Sequence, residues 1–148
     1  GLYGFVGATK WITGMTVSTY AKQSAYWTKR GWATDAPIQI SSRIDTPKPL
    51  STIQAGRHAI GGVAWAQHVG IEKVEVRIDG GPWVLAELGP DAGIDYWRQW
   101  YLPWDATAGR HHLAVRATGA DGVVQTASRA TPFPRGSRGV QEIIINVA

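Results

Sequence analysis

From residue 37 onward, short runs of the chain alternate between apolar and polar positions, with the period of two that is typical of half-buried β-strands. The alternation is clearest at residues 74–78 and 113–117. The strands predicted in this part of the chain are 38–42, 59–67, 74–78, 83–88, 95–102, 113–117, 123–126 and 142–147. Residues 79–81 (Asp-Gly-Gly) and 121–122 (Asp-Gly) are hairpin turn signals, because Asp and Gly tolerate positive φ angles.

The strand pattern predicts an all-β fold. About seven or eight short strands with turns every 8 to 12 residues are typical of an immunoglobulin-like β-sandwich, and no segment has a sustained helical period. Residues 1–36 are different, since they combine glycine and aromatic residues without sustained alternation, apart from one predicted strand at 11–18. We therefore predict an extended N-terminal arm over residues 1–36 and a sandwich domain over residues 37–148, with a loop at 130–139.

The composition fits one domain and removes several kinds of chemistry. The chain has 148 residues, of which 44% are hydrophobic, and its 18 glycines favour tight turns. It contains no cysteine, which excludes disulfides, cysteine nucleophiles and thiolate metal ligands. The longest apolar run, at residues 59–66, is far shorter than a membrane-spanning helix. The chain starts without Met or a signal peptide, so we interpret this start as a cut within a longer protein, and its localisation stays open.

The net charge of +4 is unevenly distributed, because both ends of the chain are basic and the middle is acidic. A basic end can meet an anion such as phosphate, or it can be an ordinary solvated surface. We expect neither a nucleic acid nor a membrane as a partner of this segment.

The histidines do not form a metal site in the predicted fold. His111 and His112 are neighbours on one strand, so their side chains point to opposite faces and cannot share a metal. Nucleophilic catalysis lacks support as well, since no G-x-S-x-G motif occurs. Asp91 and Asp95 are interpreted as turn and edge residues, although spacing alone does not exclude a carboxylate pair. The glycine-rich start of the chain is not a dinucleotide fingerprint, because no βαβ unit follows it.

Tryptophan is the most over-represented residue, with 8 in the chain. Burial between the sheets is its default role, but exposed Trp can also contact a glycan or another protein. Five Trp lie in or beside predicted strands, which is more than one small core is expected to hold: Trp65, Trp83, Trp97, Trp100 and Trp104.

Several short motifs, taken in order, resemble the C-terminal part of the sulfite oxidase family of molybdenum enzymes. Residues 7–12 (GATKWI) are similar to the segment that closes that family's molybdopterin domain, and residues 26–30 (YWTKR) to its aromatic-Trp-x-x-Arg stretch. Residues 42–47 (SRIDTP) resemble the start of its dimerisation domain. The further matching segments are 62–65 (GVAW), 74–83 (VEVRIDGGPW), 97–100 (WRQW) and 116–118 (RAT) with Gln125.

This resemblance implies an immunoglobulin-like domain that pairs two subunits of a molybdopterin-dependent oxidoreductase. In that family a cysteine of the upstream domain holds the molybdenum, so a chain without cysteine is expected to bind no cofactor and to be no enzyme by itself. The implied partners are a second copy of the chain and an upstream molybdopterin domain of the same parent protein.

The resemblance also implies two site residues. Lys10 corresponds to the family's Lys beside the pterin and its phosphate, a role that needs the upstream domain. Arg135, followed by Gly136, corresponds to an Arg that the family directs toward the substrate anion, with Arg138 as the competing position. At Thr9 the sequence departs from the family pattern, so a second basic pterin contact is not implied. The family's Asn and Trp-His beside that Arg are also absent, so a changed substrate is expected.

Two other classes of function stay open. One is a stand-alone immunoglobulin-like module that contacts a glycan or a protein through exposed Trp. The other is a small all-β hydrolase, for which the sequence offers no constellation of catalytic residues.

Overall fold

The computed structural model describes residues 11–19 and 21–148, and their regular structure is a two-layer β-sandwich. The all-β prediction is therefore confirmed. The strands are β1 Ser41–Thr46, β2 Thr52–Ile53, β3 Gly56–Trp65, β4 Ile71–Ile78, β5 Trp83–Leu85, β6 Glu87–Leu88, β7 Arg98–Ala106, β8 Gly109–Gly119 and β9 Gln141–Val147. One short 3₁₀-helix, Thr28–Arg30, precedes them. None of the described helical segments is long and apolar enough to cross a membrane.

The strand order is that of an immunoglobulin-like sandwich. One sheet, which we call sheet A, has the order β1-β3-β7-β6, and the other, sheet B, has the order β2-β9-β8-β4-β5. All pairs are antiparallel except β2 with β9, which is parallel. In an immunoglobulin domain the corresponding sheets are A-B-E-D and C-F-G, and here β2 and β5 extend the second sheet at its two edges.

The core lies between the sheets, and it includes the apolar positions that the alternation predicted at residues 74–78 and 113–117. Its largest fully buried side chains come from β3, β4, β8 and β9: Ile60, Leu113, Ile145, Val74, Val76 and Val115. Of the five strand-associated Trp, only Trp100 is fully buried, at 3% exposure. The expectation that the core does not accommodate all five is therefore confirmed.

Two predicted strands are wrong. Residues 11–18 form no strand and are exposed, because no neighbouring strand among the described residues pairs with their backbone. Residues 123–126 contribute only an isolated bridge between Val124 and Thr118. The ladder stops at Gln125 because its side-chain Oε1 accepts the Ala117 N–H that a continuing strand would have bonded.

A third predicted strand, 83–88, is divided into two short strands, β5 and β6. The sequence predicted one return strand over 83–88, but β5 pairs with β4 in sheet B and β6 pairs with β7 in sheet A. The chain changes sheets at Ala86, which is buried and donates its backbone N–H to the Val74 carbonyl. β7 also begins at Arg98, three residues later than predicted. The preceding loop contains instead an ion pair between Asp91 and Arg98 and a hydrogen bond between Asp95 and His68.

Candidate anion site where the arm meets the loop

Two segments that are about 100 residues apart in the sequence contact each other at one end of the sandwich. The backbone N–H of Ala33 donates to the carbonyl of Pro134 at 3.1 Å. The rings of Trp32 and Phe133 pack edge to face, with centroids 5.3 Å apart. The arm therefore lies against the 130–139 loop at this point. We call this contact region the arm–loop junction.

The aromatic contact continues through the arm. Tyr26, Trp27 and Trp32 form successive edge-to-face pairs, with centroid distances of 4.9 and 6.4 Å, and Phe133 ends the row. Pairs of this geometry contribute about 0.5–1.5 kcal/mol each beyond area burial. The Arg30 guanidinium lies 3.6 Å above the Tyr26 ring, a cation–π distance.

A glycine is required where this row turns. Gly31 ends the 3₁₀-helix with a φ of 90°, in the left-handed region that disfavours side chains. A Cβ at this position would also lie 3.1 Å from Cζ of Phe133. Close approach of the arm to the loop thus depends on Gly31.

Arg135 lies beside this contact, on the loop. Its Nη1 is 3.4 Å from the Oδ1 of Asp35 and 3.4 Å from the Asp35 carbonyl oxygen. The Arg135 and Asp35 side chains are 67% and 73% exposed, so solvent screens the pair and it contributes little stability. The guanidinium therefore keeps most of its hydrogen-bonding capacity for another partner.

A cleft separates the loop from the segment that leads into β1. Two adjoining cavities, of about 250 and 180 Å³, share three lining residues, Gln39, Arg135 and Gly136. Arg138 lines the larger cavity, and no acidic side chain lines either one among the described residues. A cleft with two guanidinium groups on its walls can bind an anion, which would compete with the exposed Asp35 carboxylate for Arg135.

Buried hydrogen bonds fix the base of this loop. Gln125 is 4% exposed, and its Oε1 accepts from the Ser42 hydroxyl at 2.6 Å and from the Ala117 N–H at 3.1 Å. Its Nε2 donates to the Gly139 carbonyl at 2.8 Å. One side chain thereby ties β1, β8 and the end of the loop together. Gln125 corresponds to a family position in the sequence, but its role has no sequence signal, because only the fold brings its three partners together.

The other predicted site residue, Lys10, lies outside the described residues, as does the glycine-rich start of the chain. No group of three or more potential metal ligands occurs in the part of the chain that the structure describes. The expectation that His111 and His112 face opposite sides is confirmed, since His111 is buried and His112 is exposed.

His111 has a polar role that the sequence did not indicate. Its Nδ1 lies 2.6 Å from Oδ2 of Asp79 and its Nε2 lies 2.8 Å from the Thr107 carbonyl oxygen. The hydrogen bond to Asp79 is the main cause of a raised pKa for His111, and the bond to Thr107 adds to it. Burial raises the pKa of Asp79, but hydrogen bonds from the His112 backbone N–H and from His111 outweigh it and lower that pKa overall.

A stand-alone module that contacts a glycan or a protein requires an exposed Trp, and the sandwich presents one beside sheet A. Trp97 is 50% exposed and stacks on Trp65, with ring centroids 5.3 Å apart and an interplanar angle of 29°. Trp65 is the last residue of β3 in sheet A, and Trp97 lies in the loop that precedes β7.

Comparison with known proteins shows that the fold is similar to part of an oxidoreductase. No protein-family profile matches the sequence, and no curated protein matches it significantly. The structure is similar to a chain of the sulfane dehydrogenase SoxCD from Paracoccus pantotrophus, with a TM-score of 0.60 and 26% identity over 74% of this chain. This chain spans 32% of the length of that one. Fibronectin(III)-like modules of Clostridium thermocellum CbhA align with a TM-score of 0.46 and 18% identity, over 74% of this chain and 96% of theirs.

Proposed function

We propose that this chain is the C-terminal immunoglobulin-like domain of a molybdopterin-dependent oxidoreductase of the sulfite oxidase type. In this role it joins two subunits and presents Arg135 toward the active site of the parent enzyme. The observation that carries the proposal is the arm–loop junction, where Trp32 and Phe133 pack together beside Arg135.

The junction supports the proposal because it unites two family-like motifs. Residues 26–30 and residues 135–136 each resemble a segment of the sulfite oxidase family, and each match alone is short. In the fold, both motifs belong to the same aromatic and basic cluster. The structural similarity to a sulfane dehydrogenase, an oxidoreductase by its name, agrees with this reading.

The cofactor belongs to another part of the parent protein in this proposal. The chain has no cysteine, so it offers no thiolate to molybdenum, and no described cluster replaces one. Molybdopterin supplies the redox chemistry when it is bound by the upstream domain. The residues of this chain then act as an anion-binding wall through Arg135, as a pterin-phosphate contact through Lys10, and as the surface that joins the subunits.

The proposal is tested on the protein with its native termini, purified from its source. We expect one molybdenum and one pterin per chain by metal analysis and pterin fluorescence. Arg135→Gln should raise the KM for the anionic substrate of the native enzyme at least tenfold at full cofactor occupancy, whereas Arg57→Gln, at the other end of β3, should leave it unchanged. A native protein without molybdenum and pterin overturns the proposal, and an unchanged KM removes Arg135 from it.

A second candidate function rests on the stacked pair Trp65 and Trp97. The half-exposed Trp97 indole, supported by the Trp65 ring against which it stacks, is a surface on which a sugar ring can stack. A glycan-binding module should change its Trp fluorescence on titration with soluble oligosaccharides, and Trp97→Ala should abolish the change. A domain that only joins subunits should show no response.

A further inference from the structure

An ion pair crosses the arm–loop junction, from Arg135 of the loop to Asp35 of the arm. Nη1 of Arg135 is 3.4 Å from Oδ1 of Asp35 and 3.4 Å from the Asp35 carbonyl oxygen. Both distances exceed the value of about 2.7–2.9 Å that is usual between a guanidinium N–H and a carboxylate oxygen. The Asp35 carboxylate therefore contacts Arg135 but binds it weakly.

A tighter ion pair, between Arg116 and Glu75 on sheet B, shows the difference. Arg116 donates to both carboxylate oxygens of Glu75, through Nε at 2.9 Å and Nη2 at 3.1 Å. Arg135 contacts Asp35 through a single nitrogen. Among the ion pairs that the described residues form, the pair of Arg135 and Asp35 has the most exposed partners, at 67% and 73%. A screened, one-nitrogen contact is easily exchanged for another anion.

The backbone on both sides of Asp35 is fixed, whereas its side chain is not. Two residues earlier, the Ala33 N–H donates to the Pro134 carbonyl at 3.1 Å, and the next residue, Ala36, is buried at 3% exposure. Asp35 is thereby held within reach of Arg135. Because both side chains are exposed, breaking the pair leaves two hydrated charges and buries no unpaired one.

The Asp35 carboxylate changes the charge that the cleft offers to an anion. Arg135 and Arg138 lie on the cleft walls, and Asp35 lines neither cavity. Within residues 11–19 and 21–148, the Arg138 side chain has no hydrogen-bond or ion-pair partner. While Asp35 neutralises Arg135, the attraction for an anion comes from Arg138 alone, and it comes from both guanidinium groups once Arg135 leaves Asp35.

From these observations we infer that Asp35 is a displaceable internal counter-ion of Arg135, which competes with an anion entering the cleft and so sets the affinity of the site. The anion takes the place of the carboxylate on Arg135, and Asp35 turns to solvent. This role of Asp35 rests on the proposed anion-binding role of Arg135 and adds the regulation of that site.

The test titrates sodium sulfate into the full 148-residue chain at constant ionic strength and follows the arginine Nε–H signals by NMR. The signals of Arg135 and Arg138 should shift together, with one Kd. Asp35→Asn removes the charge and keeps the shape of the side chain, and Asp35→Ala removes its oxygen atoms as well. Both variants should bind sulfate about two- to fivefold more tightly than the wild type, the range that corresponds to an exposed ion pair.

Asp105→Asn is the matched control, because it changes the net charge by the same amount. Asp105 is exposed and pairs with Arg57 across β7 and β3, at the other end of sheet A from Ser41, which lines the cleft. Its Kd for sulfate should stay close to the wild-type value. Circular dichroism checks that each variant is folded.

The carbon resonance of the Asp35 carboxylate reports the displacement directly. In Arg135→Ala this carboxylate has lost its partner, so its chemical shift marks the unpaired state. In the wild type, saturating sulfate should move the Asp35 resonance to that same position.

The outcomes separate this role of Asp35 from the proposed function. Equal sulfate affinities in the Asp35 variants and Asp105→Asn, a shift confined to Arg138, or an Asp35 resonance that sulfate does not move would each overturn the competition. An absence of any sulfate-dependent shift at Arg135 and Arg138 would overturn the anion site together with it. The membership of the parent enzyme is decided separately, by the molybdenum and pterin content of the native protein.

Discussion

His111 and Asp79 lie 32 residues apart in the sequence, and Nδ1 of the histidine is 2.6 Å from Oδ2 of the aspartate. The other ring nitrogen, Nε2, faces the Thr107 carbonyl oxygen, which can only accept a hydrogen bond. An ionised carboxylate also only accepts, so both ring nitrogens must donate. The geometry therefore favours the doubly protonated imidazolium, and the same hydrogen bonds raise the pKa of His111.

The first prediction concerns pH. Because the pKa of His111 is raised on folding, its contribution to stability is complete below the unfolded value of about 6.5 and is lost as the pH rises through the folded value. The pKa of Asp79 is lowered, so its contribution is present above about 3.9 and is lost as the pH falls through its folded value. The free energy of unfolding in urea, measured between pH 5 and 9, should therefore decline toward alkaline pH.

Two variants isolate this pair. In His111→Gln, the free energy of unfolding should no longer decline toward alkaline pH. At pH 6 it should be about 2 kcal/mol lower than in the wild type, because a buried charged partner of Asp79 is removed. His112→Gln, at the exposed neighbouring position, should keep the decline. An equal slope in wild type and His111→Gln would show that this histidine is not the titrating group.

The second prediction concerns the buried side chain at the base of the loop. Gln125→Ala leaves the Ala117 N–H and the Gly139 carbonyl without their partner, which should lower the free energy of unfolding by about 2–4 kcal/mol. The loop should also become more accessible, so trypsin should cut after Arg135 faster than in the wild type. Gln54→Ala, at an exposed turn, is the control and should change neither quantity. If Gln125→Ala unfolds at the same urea concentration as the wild type, the hydrogen bonds of Gln125 do not fix the base of the loop.

Some strands have a clear sequence signal and others have none, for physical reasons. Strands β4 and β9 were predictable because one face of each is buried, which imposes the period of two on their residues. The switch of sheets at Ala86 was not, since β5 and β6 have the same local pattern and differ only in which strand they pair with. The predicted strand 123–126 was wrong for a related reason. The Gln125 side-chain amide, instead of a backbone carbonyl, accepts the N–H of Ala117.

The candidate site was partly predictable. Arg135 was identified through its resemblance to a family motif, and the structure places it on the cleft beside the loop. The contact of Trp32 with Phe133 had no sequence signal, because it joins segments about 100 residues apart and depends on the path of the whole chain. The hydrogen bond between His111 and Asp79 was missed for the same reason.

The third prediction concerns the arm–loop junction. Phe133→Ala removes the edge-to-face contact with Trp32 and should release the arm from the loop while the sandwich stays folded. Trypsin should then cut after Lys29 and Arg30 faster than in the wild type, with an unchanged urea midpoint for the sandwich.

Two further variants test the junction from both sides. Gly31→Ala should give the same result as Phe133→Ala, because its φ of 90° and the nearby Phe133 ring disfavour a side chain. Val123→Ala, at an exposed position outside the junction, should leave cleavage at the wild-type rate. Unchanged cleavage in Phe133→Ala would mean that the aromatic row does not hold the arm.

The last prediction concerns the pairing of β1 with β3, which places the arm relative to the sandwich. A Cβ at Gly62 would collide with the carbonyl oxygen of Arg43 on β1 and would lie 3.0 Å from the buried Trp100 ring. Neither neighbour is free to move, since the carbonyl belongs to a paired strand and Trp100 is part of the core. Gly62→Ala should therefore lower the free energy of unfolding by about 1–3 kcal/mol or more, the range that is typical of overpacking. Gly14→Ala, where a Cβ has open space, should change the urea midpoint little. Amide hydrogen exchange should show the loss concentrated in β1, whereas uniform loss across both sheets would place the strain in the core rather than in the β1–β3 pair.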